Sequence, residues 1–229
     1  MGQSVNIKTN WENFEKDMNE CLRVNLRNHS NCQCIVVSKR HPLSVVMDAY
    51  KLGIRHFGES QVQEGTVKVK ASPEDTVWHF IGHLQKNKVR KAVQYFDYIH
   101  SIDSLELLDR VVKIAEQEKV STKVFLQVNL LRIPGRFGFY PEDLPMIIEN
   151  RNDYKKTEVI GLMGMKPLES ELTNRAYFEL LRDTRDELKN AFPDWPGMIS
   201  AGMSGDFEDA IAMGSNFLRI GTRILGTRD

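Results

Sequence analysis

Short apolar runs alternate with amphipathic stretches along almost the whole chain. The runs predicted as strands are residues 33–38, 56–59, 78–82, 98–102, 124–130, 159–165, 198–203 and 217–220. Between them, apolar residues recur at intervals of three and four, the spacing of one helix face. The stretch 43–50 is an example, with Pro42 at its first turn and Gly53 just past its end. Further helices are predicted over residues 104–117, 142–150 and 171–191, and an additional one over 11–27 precedes the first strand.

Strands that alternate with helices indicate a parallel α/β sheet. Eight such units in 229 residues are what a closed (β/α)8 TIM barrel takes, typically ~250 residues. An open doubly wound sheet is the alternative, but it requires a Gly-x-Gly-x-x-Gly turn after its first strand. The turn here, residues 38–42, contains no glycine. We therefore expect residues 1–229 to form one barrel domain with an extra N-terminal helix.

Composition and chain start indicate a soluble, cytoplasmic protein. The formal net charge is +0 and the pI about 7.0, so no overall field attracts nucleic acid or an anionic membrane. No apolar run approaches the ~20 residues of a membrane span, and residues 1–6 lack the apolar core of a signal peptide. Asn6 stands where a myristoylation signal has Ser or Thr. The three cysteines, Cys21, Cys32 and Cys34, predict reduced thiols rather than a disulfide framework or a zinc site.

Lys39 is the first candidate for chemistry. It closes the first predicted strand, so in a barrel it lies at the C-terminal rim, where the βα loops build active sites. A lysine amine can capture an aldehyde as a Schiff base once desolvation or nearby positive charge lowers its pKa. A lone lysine at a strand end is more often solvated surface, so this assignment depends on what lies beside it.

Two loops near the end of the chain supply a predicted phosphate cradle. Barrels of this class commonly bind phosphate at the loops after strands 7 and 8, which here are residues 202–206 and 219–223. Their glycines let the backbone approach an anion, and the hydroxyls of Ser204 and Thr222 can donate hydrogen bonds. Glycine and serine also make ordinary turns, but two such loops at the two expected strands favour phosphate binding.

Lys39 lies next to this cradle, because strand 8 adjoins strand 1 in a closed barrel. The ligand that offers both an aldehyde to an amine and a phosphate to a cradle is pyridoxal 5′-phosphate (PLP). Arg219 is a third element, since a charged side chain at a near-core position of strand 8 needs a partner. It either faces the pyridine nitrogen, which keeps that nitrogen unprotonated and weakens the electron sink, or forms an inter-strand salt bridge. The residues alone leave both interpretations open.

The chain resembles the pyridoxal phosphate homeostasis protein family (YggS/PROSC type), barrel-only relatives of the fold-type III alanine racemase N-terminal domain. The segments that carry the resemblance are 37–39 (VSK), 56–64 (HFGESQVQE), 78–88 (WHFIGHLQKNK), 127–129 (QVN), 161–163 (GLM), 202–204 (GMS) and 219–222 (RIGT). The resemblance implies that Lys39 carries PLP as a Schiff base and that Arg219 meets its pyridine nitrogen. The other implied contacts are Met203, which lines the site, and the phosphate ligands Ser204, Gly221 and Thr222.

Three positions depart from the family pattern. Ser60 replaces an asparagine after strand 2, which alters or removes a hydrogen bond near the cofactor ring. Arg136 stands in the loop after strand 5 for a lysine and cannot itself form a Schiff base. Lys166, in the turn after strand 6, adds a positive charge near the rim.

Three functions compete. The first is a monomeric PLP-binding protein that buffers the cofactor and delivers it to apo PLP-enzymes, with little or no catalysis. The second is an amino-acid racemase, but alanine racemases take their second acid/base from a C-terminal β-domain and a partner subunit, and this chain ends seven residues after Thr222. The third is a phosphosugar barrel enzyme, for which Glu59 is the rim carboxylate base, with pairing to a nearby cation as its alternative role. We expect the first.

Two further features have more than one interpretation. The basic run 85–91 is either a solvated helix face, the commoner case, or a patch that steers anionic PLP. His79 and His83 are predicted to alternate on one side of strand 3, with His79 as a packed barrel histidine.

Overall fold

The computed structural model describes residues 6–227, so the expectations for residues 1–5 concern a segment outside the described residues. Eight parallel strands close into a barrel in sequence order. They are β1 Gln33–Val37, β2 His56–Glu59, β3 Val77–Phe80, β4 Tyr98–Ile102, β5 Thr122–Gln127, β6 Thr157–Met163, β7 Met198–Ser200 and β8 Phe217–Ile220. The ladder closes where Ile35 pairs with Arg219 and Val36 with Ile220. The predicted barrel is confirmed, and the open sheet is excluded.

Helices follow the strands around the outside of the barrel. They are α1 Ile7–Val24, α2 Leu43–Lys51, α3 Val62–Ala71, α4 Val89–Tyr95, α5 Leu105–Glu118, α6 Leu144–Glu149, α7 Asn174–Ala191, α8 Phe207–Ala212 and α9 Thr222–Leu225. Short 3-10 turns cover His29–Asn31, Lys86–Lys88, Pro141–Asp143 and Asn150–Asp153. Within residues 6–227, none of the helices has the length and apolarity needed to cross a membrane.

The predicted extra helix is present as α1. It begins four residues earlier than predicted because the Asn6 side chain accepts a hydrogen bond from the Thr9 amide and caps the helix. Phe14, Met18 and Leu22, spaced by four residues, form its buried face. Phe14 packs on Phe207 of α8, with 5.2 Å between the ring centroids. The helix therefore covers α8 and α9, the two helices that follow the predicted phosphate loops.

The barrel contains two apolar layers. Most of the core lies between the strands and the surrounding helices. A smaller cluster fills the barrel interior and consists of Ile35, Phe125, Ile160, Met163 and Phe217. This packed interior leaves the C-terminal rim as the surface on which the loops can build a site.

Four predicted strands extend two or three residues too far at their C-terminal ends, which are Phe80 for β3, Gln127 for β5, Met163 for β6 and Ser200 for β7. After β3 a glycine turns the chain: a Cβ on Gly82 would lie 2.1 Å from the Ser60 carbonyl oxygen. The prediction that His83 shares a strand face with His79 is therefore wrong. His83 lies in the loop, 3.1 Å from Asp103 and stacked on Phe137.

The basic run 85–91 is paired at the surface. Lys86 forms an ion pair with Glu106, and Arg90 forms one with Glu118. Both partners lie at the ends of α5, so the structure agrees with a solvated helix face. A steering role for this run stays a prediction.

Candidate functional site

Lys39 lies at the C-terminal rim, two residues beyond the end of β1, and is half-buried. The neighbouring strand β8 ends at Ile220, and its register with Val36 brings Gly221 and Thr222 alongside the start of the Lys39 turn. Adjacent strands lie about 4.8 Å apart. The structure thus brings together the lysine and the second phosphate loop that the sequence placed on separate segments.

The residue before Lys39 is fixed by a buried ion pair. The Ser38 hydroxyl donates to Glu59 Oε1 at 2.7 Å, and Lys68 Nζ donates to the Ser38 carbonyl at 2.8 Å. Lys68 Nζ also lies 2.7 Å from Glu59 Oε1, with the carboxylate fully buried. Burial raises the pKa of Glu59, while the hydrogen bonds from Lys68 and Ser38 oppose that rise.

The residue after Lys39 is fixed by the same group. The Arg40 amide donates to Glu64 Oε1 at 2.6 Å, and Glu64 Oε1 also lies 2.7 Å from Lys68 Nζ. Arg40 has a φ of 63°, a left-handed conformation that needs such support in a residue other than glycine. We call Ser38, Glu59, Glu64 and Lys68 the Lys68 cluster. It gives Glu59 a structural partner and removes it as an exposed carboxylate base.

The loop after β7 forms a tight turn. Gly202 has a φ of 93°, and a Cβ there would lie 2.7 Å from the Ala210 Cβ, so the position requires glycine. The Met203 amide donates to Asp206 Oδ1 at 2.5 Å, and the Asp206 amide donates back to the Met203 carbonyl at 3.2 Å. Among the hydrogen bonds within residues 6–227, none uses the amides of Ser204 and Gly205, which leaves two donors at the rim for an anion.

The loop after β8 meets this turn directly. Thr222 Oγ1 lies 3.4 Å from Ser204 Oγ, and Gly221 caps the start of α9. The Arg219 amide donates to the Gly202 carbonyl at 2.9 Å, which joins the two loops at their base. First-turn amides of a helix have no partner within the helix. Hydroxyls and amides of both predicted loops therefore converge on one place.

Arg219 is buried among neutral acceptors. Its Nη1 donates to Ser200 Oγ at 2.8 Å and its Nη2 to the Gly164 carbonyl at 3.1 Å. Within residues 6–227 it forms no ion pair closer than 4.0 Å, so the inter-strand salt bridge is not the arrangement found. Burial lowers the pKa of Arg219 to about 10, while the charges of Asp206 and Tyr177 raise it. A guanidinium has five N–H donors, so this one keeps capacity for a further acceptor.

The remaining predicted positions lie around the same rim. Met203 is 38% exposed. Arg136 Nη2 donates to the Met165 carbonyl at 2.7 Å and thus bridges the loops after β5 and β6. Ser60 is half-buried, and its hydroxyl forms no hydrogen bond within the described part of the chain. A groove of about 670 Å³ lies at the opposite mouth of the barrel and is lined by residues that include Asp97, Lys123 and Lys156.

Sequence reasoning missed Lys68, Glu64 and Ser200 as members of the site. The spacing of Glu64 and Lys68 by four residues on α3 was the available signal for an ion pair. No local pattern identifies Ser200, which accepts from Arg219 only because β7 and β8 are neighbouring strands.

Comparison with known proteins agrees with this geometry. The family described as "Alanine racemase, N-terminal domain" matches residues 20–229. A pyridoxal phosphate homeostasis protein of Aquifex aeolicus is 35% identical over 217 residues, which are 94% of this chain and 95% of the relative. The structure of PipY from Synechococcus elongatus PCC7942 with PLP bound is 38% identical, with a TM-score of 0.79 over 90% of this chain and 99% of that one.

A more distant likeness concerns the fold alone. Alanine racemase of Clostridium difficile 630 is 16% identical, with a TM-score of 0.70. The match covers 93% of this chain but 56% of the racemase. Taken with the closed barrel and the shared motifs, these comparisons show that the chain belongs to the pyridoxal phosphate homeostasis protein family, whose barrel is that of the alanine racemase N-terminal domain.

Proposed function

We propose that this protein binds PLP at the β1/β8 rim, holds it through Lys39 as a Schiff base, and contributes to PLP homeostasis and delivery inside the cell. The observation that carries the proposal is Arg219, a buried cation without a carboxylate partner within residues 6–227. PipY, at 38% identity, has been solved with PLP bound. Relatives such as that of Aquifex aeolicus are named for PLP homeostasis.

The residues at the rim fit the three polar parts of PLP. The half-buried Lys39 amine suits the aldehyde, and the fixed positions of Ser38 and Arg40 hold the intervening backbone. Ser204, Gly221 and Thr222 suit the phosphate, with Met203 beside them. Arg219 suits an unprotonated pyridine nitrogen, because a guanidinium only donates hydrogen bonds.

The same arrangement supports little or no catalysis. When bound, PLP supplies an aldehyde for amines and a ring that withdraws electrons from a bound substrate. An arginine that donates to the ring nitrogen keeps that nitrogen from taking up a proton, so the ring withdraws electrons weakly. Glu59, the one carboxylate considered as a base, is fully buried against Lys68. An amino-acid racemase of low activity is the alternative, and a racemisation assay with the PLP-loaded protein distinguishes the two.

We further propose that residues 1–229 form one domain that acts as a cytoplasmic monomer. Its partners would then be PLP itself and apo PLP-enzymes, without nucleic acid or membrane. The closed barrel and the neutral overall charge support this. Size-exclusion chromatography with light scattering tests the oligomeric state, and transfer of PLP to an apo-enzyme under dilution tests delivery.

The first experiment is an absorption spectrum of the protein with PLP, before and after borohydride. We expect a visible band that borohydride removes, with the pyridoxyl mass on the Lys39 peptide. In Lys39→Ala the covalent adduct should be lost while the protein stays folded, because a half-buried rim lysine adds little to the core. Lys166→Ala, a half-buried rim lysine after β6, is the matched control and should retain the adduct.

Two results would contradict the proposal. A wild-type protein that shows no visible band with added PLP would reject PLP binding and favour a phosphosugar ligand. An adduct that persists in Lys39→Ala but disappears in Lys166→Ala would keep PLP binding and move the attachment to the other lysine.

A further inference from the structure

Four polar side chains cross the barrel interior in an unbroken hydrogen-bonded series. Ser200 Oγ, which accepts from Arg219 Nη1 at 2.8 Å, lies 2.8 Å from His100 Nδ1. His100 Nε2 lies 2.9 Å from His79 Nδ1. His79 Nε2 lies 2.9 Å from His56 Nδ1. We call Ser200, His100, His79 and His56 the histidine chain.

The histidine chain connects the two mouths of the barrel. His56 is the first residue of β2 and lines a groove of about 380 Å³ at the N-terminal mouth. Ser200 ends β7 below the C-terminal rim. His79 and His100 are fully buried between these ends.

Aromatic side chains fix the two buried imidazoles. His79 stacks on Tyr98 with 4.5 Å between the ring centroids, and His100 stacks on Phe125 at 4.4 Å. Phe217 packs against both imidazoles from a third strand. This packing holds the plane of each ring, and the hydrogen bonds at both nitrogens set which edge of each ring faces which neighbour.

The positions of the imidazole hydrogens can be deduced, and they show that each member of the histidine chain donates to the next, from Ser200 to His56. Burial lowers the pKa of His79 and His100 well below the usual range, so each imidazole is neutral and has one N–H. Arg219 can only donate, so Ser200 Oγ accepts from it. Within the described residues, His100 Nδ1 is the remaining partner of that hydroxyl, so Ser200 donates to His100.

The same count then fixes the other two rings. Because His100 Nδ1 accepts, its hydrogen is on Nε2 and points to His79 Nδ1. His79 in turn carries its hydrogen on Nε2 and donates to His56 Nδ1. In the opposite direction, His100 Nδ1 and Arg219 Nη1 would both donate to Ser200 Oγ. The Ser200 hydroxyl hydrogen would then have no acceptor among residues 6–227, which is costly in a buried site.

We propose that His100, His79 and His56 are positioning residues that act through Ser200 to hold Arg219 charged and fixed without a carboxylate. A hydroxyl that donates onward is a stronger acceptor, because each bond in a series polarises the next. A carboxylate in the place of Ser200 would also hold Arg219, but it would neutralise the cation. Because the histidine chain is neutral, the positive charge of Arg219 stays available to an acceptor on the ligand. The ligand part of this inference rests on the proposed PLP function; the direction of the chain does not.

Nitrogen NMR of the ligand-free protein tests the direction. We expect His56, His79 and His100 all to carry their hydrogen on Nε2, with His29, exposed on a surface turn, as the reference for an imidazole in water. A hydrogen on Nδ1 of His79 or His100 would overturn the assigned direction. This measurement needs neither a variant nor PLP.

Variants of His100 test the positioning role. His100→Phe removes the acceptor for Ser200, so we expect about fivefold weaker PLP binding, the effect of one neutral hydrogen bond, and a shifted absorption maximum. His100→Asn keeps an acceptor near the Nδ1 position and should restore the wild-type spectrum. Ile160→Val shortens another side chain of the barrel interior and leaves all four residues of the histidine chain in place, so it is the matched control. Far-UV circular dichroism confirms that each variant is folded.

The outcomes separate the two proposals. If wild type and His100→Phe bind PLP with the same affinity and spectrum, the positioning role is wrong while PLP binding stands. If wild type binds no PLP, the proposed function fails, and the positions of the imidazole hydrogens still decide the direction of the chain.

Discussion

Lys68 and Arg219 are two buried cations with opposite surroundings. Lys68 is 5% exposed and contacts two carboxylates, Glu59 and Glu64, each at 2.7 Å. Arg219 is 7% exposed and, within residues 6–227, donates only to a hydroxyl and a carbonyl. One cation lies under the turn that carries Lys39, and the other lies below the predicted phosphate loops.

This difference distinguishes a buried charge that stabilises the fold, Lys68, from one that can bind a ligand, Arg219. A buried cation with carboxylate partners and satisfied hydrogen bonds is complete without a ligand. A buried cation held by neutral oxygens has no carboxylate bonded to it, and burial lowers the pKa of Arg219 to about 10, although the charge of Asp206 opposes that shift. In this barrel the ion-paired Lys68 fixes the backbone around the candidate lysine, whereas the Arg219 guanidinium keeps donors for a ligand.

Replacing Lys68 tests the structural side of the comparison and should have the largest effect. In Lys68→Met the buried Glu59 loses its cation, so we expect the free energy of unfolding to fall by about 3–5 kcal/mol. Urea denaturation of the ligand-free protein measures this. Lys51→Met, which breaks the exposed pair with Asp48 on α2, is the control and should leave the midpoint unchanged. A loss below about 1 kcal/mol in Lys68→Met would mean that the cluster contributes no more than a surface ion pair.

Replacing Arg219 tests the binding side. If Arg219 binds PLP as proposed, Arg219→Met removes a charge-assisted hydrogen bond worth about 1.5–3 kcal/mol, so PLP should bind about 10- to 100-fold more weakly and with a shifted spectrum. The ligand-free stability should change by no more than about 1 kcal/mol, because the lost hydrogen bonds are offset by the removal of a buried charge to which no carboxylate is bonded. Fluorescence titration and urea denaturation measure the two quantities. If PLP affinity were unchanged and the stability fell strongly, Arg219 would be a structural cation and not a ligand-binding one.

Lowering the pH should destabilise the protein through its buried, neutral histidines. Burial lowers the pKa of His79 and His100 well below their usual range, so below pH 6.5 the unfolded chain takes up protons that the folded protein does not. Their contribution is fully present above that pH and is lost as the pH falls. We expect each histidine to remove about 1 kcal/mol of stability between pH 6.5 and 5.5. Denaturation at both pH values measures the sum, to which His56 also contributes because burial lowers its pKa, and in His100→Phe the decrease should be smaller by about 1 kcal/mol. An equal decrease in that variant would assign the acid sensitivity to other groups.

Much of the fold could be predicted from the sequence because it depends on local periodicity. The bounds of β2, β4 and β8 agree with the predicted strands, and turn residues stand beside each of them. The ends of β3, β5, β6 and β7 were placed too far along the chain, because apolar residues continue into the rim loops after the ladder stops. Local patterns do not record where two strands cease to pair.

The candidate site was only partly predictable. Lys39, Ser204 and Thr222 were identified from strand-end position and loop composition, and the structure brings their loops together, although their roles stay predictions. Lys68 was missed because its partner Glu59 lies nine residues away, on a different element. The prediction of His79 as a packed barrel histidine is confirmed, but its connection to His56 and His100 was missed because the three lie on different strands.

The sequence by itself determined the class of the molecule. Its alternation of apolar runs and helical faces specifies a (β/α)8 barrel, and its motifs specify the family. Only the tertiary structure decided which buried charges are paired and which are not. Periodicity tells which face of an element is buried, whereas the partner of a buried charge depends on distances between side chains that barrel closure sets across separate strands. For Arg219 these distances decide against the inter-strand salt bridge, one of the two interpretations that the residues alone left open.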